Sequence, residues 1–140
     1  MIEFEIKYRD CMGRICNFRT RHGIVETPNL LPVINPNKIL ITSKELKEKF
    51  RAQMIITNSY IIYKNKDLRE KALEVGLHNL LEFDGPIMTD SGTFQSYVYG
   101  KVDVDSIEIV KFQRDIGSDI GTILDFLHYQ MRTTKLPKKM

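Results

Sequence analysis

The sequence predicts an α/β fold, a parallel sheet with helices between its strands and an antiparallel β hairpin ahead of it, and three observations carry this. Two segments near the start alternate apolar and polar residues. Three later runs are short, apolar and β-branched, and the stretches between them open on cap residues and close on glycine. Strand and helix taking turns in this way means βαβ units and therefore parallel pairing.

Taken in order, Glu3 to Arg9 and Ile15 to Arg19 read as paired strands joined by a turn at Asp10 to Gly13. Thr42 and Glu45 have capping-box spacing, in which hydroxyl and carboxylate satisfy each other's free N–H groups, so a helix is expected through Phe50. Met54 to Asn58 is the first parallel strand. Asp67 can cap a helix through Val75 that Gly76 ends, and Pro86 to Asp90 is the next strand. Asp105 or Ser106 caps a helix through Ile116 that Gly117 ends, and Asp119 to Asp125 is the last strand. On this pattern alone a small doubly wound sheet and part of a barrel fit equally well. No internal repeat or low-complexity linker divides the chain.

Composition bounds the rest. The 140 residues suffice for one ordinary domain, whereas a closed (β/α)₈ barrel takes roughly 250. With 42% hydrophobic and 28% charged residues, and no apolar run near the ~20 a membrane helix needs, the composition is that of a soluble globular protein. The start alternates like a strand and lacks the basic region and apolar core of a secretion signal, so a cytoplasmic location and no membrane partner are expected. Cys11 and Cys16 are the only cysteines, and two thiols fall short of the three or four ligands a zinc ion takes. Free thiols are expected. The net charge of +3 is compatible with a nucleic-acid partner without requiring one, because solvated Lys-rich faces are commoner than binding patches. His22, His78 and His128 are scattered, with no Ser/His/Asp or Cys/His set, so a hydrolase triad is not expected.

Most of the chemistry is concentrated in residues 85 to 95, Gly-Pro-Ile-Met-Thr-Asp-Ser-Gly-Thr-Phe-Gln, where a short apolar run delivers Asp90 straight into a glycine turn. In a parallel α/β protein the loops leaving the carboxyl ends of the strands line the ligand site. A plain turn, with Asp90 and Ser91 bonding their own backbone, explains the shape as well. The stretch resembles the Thr-Asp-Ser-Gly-x-Phe/Tyr-Gln signature of the tRNA-guanine transglycosylases, and the version with Thr93 and Phe94 resembles the archaeal, archaeosine-forming branch. Residues 27 to 37, Thr-Pro-Asn-Leu-Leu-Pro-Val-Ile-Asn-Pro-Asn, resemble the family's amino-terminal segment. Residues 56 to 64, Ile-Thr-Asn-Ser-Tyr-Ile-Ile-Tyr-Lys, resemble its first barrel strand and loop. Residues 117 to 125, Gly-Ser-Asp-Ile-Gly-Thr-Ile-Leu-Asp, resemble its substrate-binding strand, and the blocks keep the family's order across nearly all of residues 1 to 125.

The resemblance decides for the barrel: a partial (β/α)₈ TIM barrel, residues 1 to 125 forming the amino-terminal part of the catalytic domain. It implies base exchange, in which a guanine at position 15 of the tRNA D arm is cut from its ribose and 7-cyano-7-deazaguanine is joined in its place through a covalent aspartyl-ribose intermediate. Asp90 matches one of two catalytic aspartates, with nucleophile the usual assignment and general acid/base the competing one. The second aspartate belongs to the half not represented here. Asp125 matches the carboxylate that grips the base, for guanine offers two adjacent donors, N1–H and the exocyclic amine, at roughly 1.5–3 kcal/mol per charge-assisted bond. A helix cap after the strand is its plainer explanation.

Phe94 matches an aromatic on which the base stacks, though core burial alone accounts for a Phe there. Ser91 and Gly92 allow the backbone to approach ribose or base closely, or simply meet a turn requirement. Lys64, Lys66 and Arg69 suit a solvated helix start better than a phosphate site. The family's Cys-Cys-Cys-His zinc site lies in its carboxyl-terminal half and no segment here matches it, so no metal or other cofactor is assigned to this chain. The implied partners are tRNA, guanine or the deazaguanine, and a complementary carboxyl-terminal chain or a second copy in a homodimer. Residues 126 to 140 depart from the family pattern into a basic tail, a divergence sharp enough to indicate a frameshift. An inert truncated product and a non-catalytic tRNA-binding fragment are the competing readings.

Overall fold

The computed structural model describes residues 2–93 and 104–124. Its first part is a three-stranded antiparallel sheet of β1 (Glu3–Asp10), β2 (Gly13–Thr20) and β3 (Gly23–Thr27) in the order β1-β2-β3. The expected hairpin is thus two-thirds of a meander. The added strand follows a turn at Arg21-His22 that Gly23, at φ +141°, allows, and its Val25 is buried.

Next comes a four-stranded parallel sheet of β4 (Val33–Ile34), β5 (Ile55–Asn58), β6 (Ile87–Asp90) and β7 (Ile120–Gly121). Sequence pattern predicts three parallel strands; the fourth, β4, has only two residues, too few for any periodicity to register. The β7 strand is shorter than the expected Asp119 to Asp125, because the peptide groups of Thr122 pair with the Gln113 side chain as well as with Thr89. Neighbours in this sheet follow chain order, β4-β5-β6-β7, without the reversal that defines a doubly wound sheet.

Between the strands run α1 (Ser43–Glu48), α2 (Ser59–Lys64), α3 (Lys66–Val75), α4 (Leu77–Leu81) and α5 (Ser106–Asp115). The Thr42 and Glu45 capping box forms as expected, although α1 stops at Glu48 short of Phe50, with Arg51 at φ 55°. Asn65, not Asp67, caps α3, and Gly76 ends it. Asp105 caps α5. Both α2 and α4 escape the sequence pattern: Tyr60 to Tyr63 is an apolar, branched run that reads like more strand, and α4 opens on Gly76 with no side-chain cap.

The parallel sheet has two unlike faces. Ile55, Thr57, Ile87 and Thr89 point to the helix side, where Ile55 and Ile87 join Ile62, Ala72, Leu77, Ile109, Phe112 and Ile116 in the core. On that side Tyr63 of α2 meets Phe112 of α5 edge-on at 5.2 Å and hydrogen-bonds Glu108. Side chains alternate along a strand, so the register Val33, Ile56, Met88, Ile120 forms an apolar row on the opposite face, with Asn58 and Asp90 one step further along the same face. Among the described residues no helix is long and apolar enough to cross a membrane.

Candidate functional site at the carboxyl ends of the strands

Asn58 closes β5 and Asp90 closes β6, and the two stand side by side in the parallel register. Asn58 Nδ2 donates to Asp90 Oδ2 at 2.9 Å, while Asn58 Oδ1 accepts from the Ile61 N–H at 3.0 Å and so caps α2. One amide thus orients the carboxylate and starts a helix. The Ser59 hydroxyl donates to the Asp90 carbonyl at 2.7 Å, fixing the main chain from the β5 side. From the β7 side, the Ser91 N–H donates to Thr122 Oγ1 at 2.8 Å and the Ser91 hydroxyl to the Ile123 carbonyl at 3.0 Å. Asp90 itself is half-buried.

Gly92 has φ +96°, and a Cβ there would lie 2.5 Å from Tyr60 Cβ. The close approach that this glycine permits is therefore to a side chain of α2, in keeping with a turn requirement, and any larger residue would push the Asp90 loop off Tyr60. Ser91 is buried and spends its polar groups within the protein. Phe94 and Asp125 lie outside the described residues, as do the second half of the signature's flank and the tail from residue 126. Sequence pattern singles out Asp90 and its loop but misses Asn58, Ser59, Tyr60 and Thr122. For Asn58 there was a signal: an Asn-Ser pair ending an apolar run has the look of a helix cap.

A second polar cluster stands at the other end of the sheet. His22 Nδ1 lies 2.8 Å from Asp119 Oδ1 and His78 Nε2 lies 3.1 Å from Oδ2, which also accepts from the Ile87 N–H at 3.0 Å. Histidines that are scattered in sequence meet on one carboxylate, joining the β2–β3 turn, α4 and the start of β6. The Asp119 side chain is 1% exposed, and Arg21 Nε sits 3.9 Å from its Oδ1. Burial works against ionisation of this carboxyl, yet the hydrogen bonds from His78, the Ile87 N–H and His22 outweigh it and lower the Asp119 pKa to about 2.

Two imidazoles and a carboxylate within 4.8 Å of one another also have the makings of a metal site. The rings, however, stack at 3.6 Å and 28°, so their in-plane lone pairs run side by side and do not converge on a common point. The cluster is a clasp. Nor do the described residues fit a Cys-Cys-Cys-His zinc set: Cys11 is exposed, Cys16 is buried, both are free, and the clasp contains no thiol.

A carboxyl whose folded pKa lies below its ordinary value of 3.8 stabilises the fold above that value and loses the contribution as pH falls toward about 2. Thermal melts taken down through this window should show stability declining between about pH 4 and pH 2, and Asp119→Asn should flatten that decline while lowering the melting temperature at neutral pH. An unchanged acid limb in Asp119→Asn would remove Asp119 from the account.

Similarity to known proteins bears on the rim. A family model described as queuine tRNA-ribosyltransferase matches residues 10–140. A protein of Methanosarcina acetivorans named tRNA-guanine(15) transglycosylase is 62% identical over 122 residues, 87% of this chain and 25% of the relative. One of the same name from Thermoplasma acidophilum is 60% identical over 121 residues, 86% of this chain and 19% of the relative. A third, from Methanosarcina barkeri, is 54% identical over 138 residues, 95% of this chain and 28% of the relative. The chain spans between about a fifth and just over a quarter of the length of the curated relatives it matches. Since the family model takes in the whole parallel sheet together with the Asp90 rim, the chain belongs to the tRNA-guanine transglycosylase family, described as queuine tRNA-ribosyltransferase.

Proposed function

We propose that this chain supplies one catalytic rim of a tRNA-guanine transglycosylase that replaces guanine at position 15 of the tRNA D arm with 7-cyano-7-deazaguanine, the base-exchange step of archaeosine formation. One observation carries the reading. The Asp90 carboxylate stands at the carboxyl end of β6, on the face opposite Thr89 and the described helices packed there, half-buried and held by Asn58 at 2.9 Å. The relatives' name, tRNA-guanine(15) transglycosylase, supports the choice of base and position.

Chain-order pairing with helices on one face is how a (β/α)₈ barrel is wound, and the apolar row Val33, Ile56, Met88, Ile120 is suited to a barrel interior. Val33 is 76% exposed in that row, so the face awaits cover from the remaining strands. The rest of the barrel, with a second catalytic aspartate, comes from polypeptide beyond this sequence, and tRNA in the cytoplasm is the substrate. Asp90 works either on ribose C1′, where its oxygen replaces the departing guanine nitrogen until the deazaguanine nitrogen displaces it, or on the proton of the leaving base. Asp125 accepts from the guanine N1–H and exocyclic amine, a donor pair that adenine lacks. Phe94 offers its ring to the base. Ser91 and Gly92 shape the loop on which the base rests.

The test uses a chimera in which residues 1–125 replace the matching stretch of a full-length relative. Labelled guanine should enter a transcript with guanine at position 15 and stay out of one with adenine there. Incorporation into both, or at another position, would overturn the assignment of position 15.

A further inference from the structure

We propose that Thr122, gripped by Gln113, is a positioning residue that locks the main chain after Asp90 to the end of the neighbouring strand; this rests on the base-exchange reading of Asp90. Strand β7 ends at Gly121, and beyond it the Thr122 N–H still donates to the Thr89 carbonyl at 3.1 Å. The Gln113 side chain of α5 adds a second hold on both peptide groups of Thr122. Its Nε2 donates to the Thr122 carbonyl at 2.9 Å, and its Oε1 accepts from the Thr122 N–H at 3.1 Å and from the Thr89 hydroxyl at 2.7 Å. A primary amide is the side chain that offers a donor and an acceptor in one plane, as a peptide unit of an adjacent strand does. Gln113 is 2% exposed, so any group left unpaired there has no water to turn to. A Cβ on residue 121 would come within 3.1 Å of Gln113 Oε1, which shows how closely the amide lies along the chain.

Thr122, fixed in this way, presents Oγ1 to the Ser91 N–H at 2.8 Å. That N–H belongs to the peptide immediately after Asp90, so the bond sets the tilt of the plane from which the Asp90 side chain departs. Asn58 and Ser59 hold Asp90 from β5; Thr122 holds it from the opposite neighbour. Thr122 also stands three residues before Asp125, so one hydroxyl ties together the chain segments carrying both carboxylates. The role passes through Ser91 and requires no contact with substrate.

Two variants in the full-length chimera separate this from a merely structural role. Thr122→Val keeps the shape, removes the acceptor and strands the Ser91 N–H; Thr122→Ser returns the oxygen. The expected result is a fall in kcat of about 10- to 100-fold in Thr122→Val, the scale of a small misplacement of a catalytic group, with KM for tRNA within about twofold and most of the activity recovered in Thr122→Ser. Exchange of the Ser91 amide hydrogen, followed in the same proteins, should quicken in the Val variant and not in the Ser variant. Unchanged kcat despite faster Ser91 exchange overturns the proposal, as does unchanged Ser91 exchange, or equal loss of activity and melting temperature in both variants. Asp90→Asn in the same chimera reports on the base-exchange reading separately: if that variant turns over normally, it is the role of Asp90 that fails.

Discussion

Asp90→Asn in the full-length chimera is expected to abolish base exchange while leaving tRNA binding within about twofold. The substitution is nearly isosteric, and the new amide oxygen can still accept from Asn58 Nδ2, so the strand end and the α2 cap stay in place. What disappears is the charge and the basicity. An amide neither forms a stable ester with ribose C1′ nor takes up the proton of a leaving base, and the loss should reach about 10²–10⁴-fold for an acid/base role and more for a nucleophile. Incorporation of labelled guanine measures the rate. A covalent protein–tRNA adduct that survives denaturation in the parent and is missing in the variant would assign the nucleophile. Near-normal incorporation would remove Asp90 from catalysis.

Much of this rim was legible in the residues. A run of Pro86, Ile87, Met88 and Thr89 that ends on Asp-Ser-Gly announces both the strand and the carboxylate at its tip, and the structure places β6 at Ile87–Asp90. Caps with local chemistry were legible for the same reason: Thr42 with Glu45, Gly76 and Asp105 act within one turn of where they stand. What escaped depends on distance or on competition. The clasp joins His22 to Asp119 across 97 residues, and no local pattern announces such a meeting. Helix α2 hides in an apolar run whose β-branched residues argue for strand, and a single cap, Asn58, turns the chain. The shortness of β7 depends on Gln113, a polar residue on the buried side of α5 that sequence pattern alone would assign to solvent.

The chain by itself is expected to show no base exchange and to associate in solution. Among the described residues β4 and β7 are the two ends of the parallel sheet, each with one strand neighbour, and a strand edge left open pairs readily with another chain. Apolar side chains add to this: Leu30, Val33, Leu40 and Ile123 are all exposed, and so is every residue of β1. Patches of this kind mark surfaces made to be covered. Sedimentation of residues 1–140 alongside an assay for labelled guanine addresses both halves. Turnover by a non-associating monomer would show that the chain needs no further polypeptide.

Strand β6 is four residues long, roughly 10 Å from end to end. Its first N–H is held by the clasp on Asp119 and its last side chain is Asp90. On the base-exchange reading proposed for Asp90, durability and reactivity fall to opposite tips of one short rod. On the same reading, substitutions around His22 and His78 are expected to change the melting temperature more than the rate of base exchange, and substitutions beside Asp90 to do the reverse.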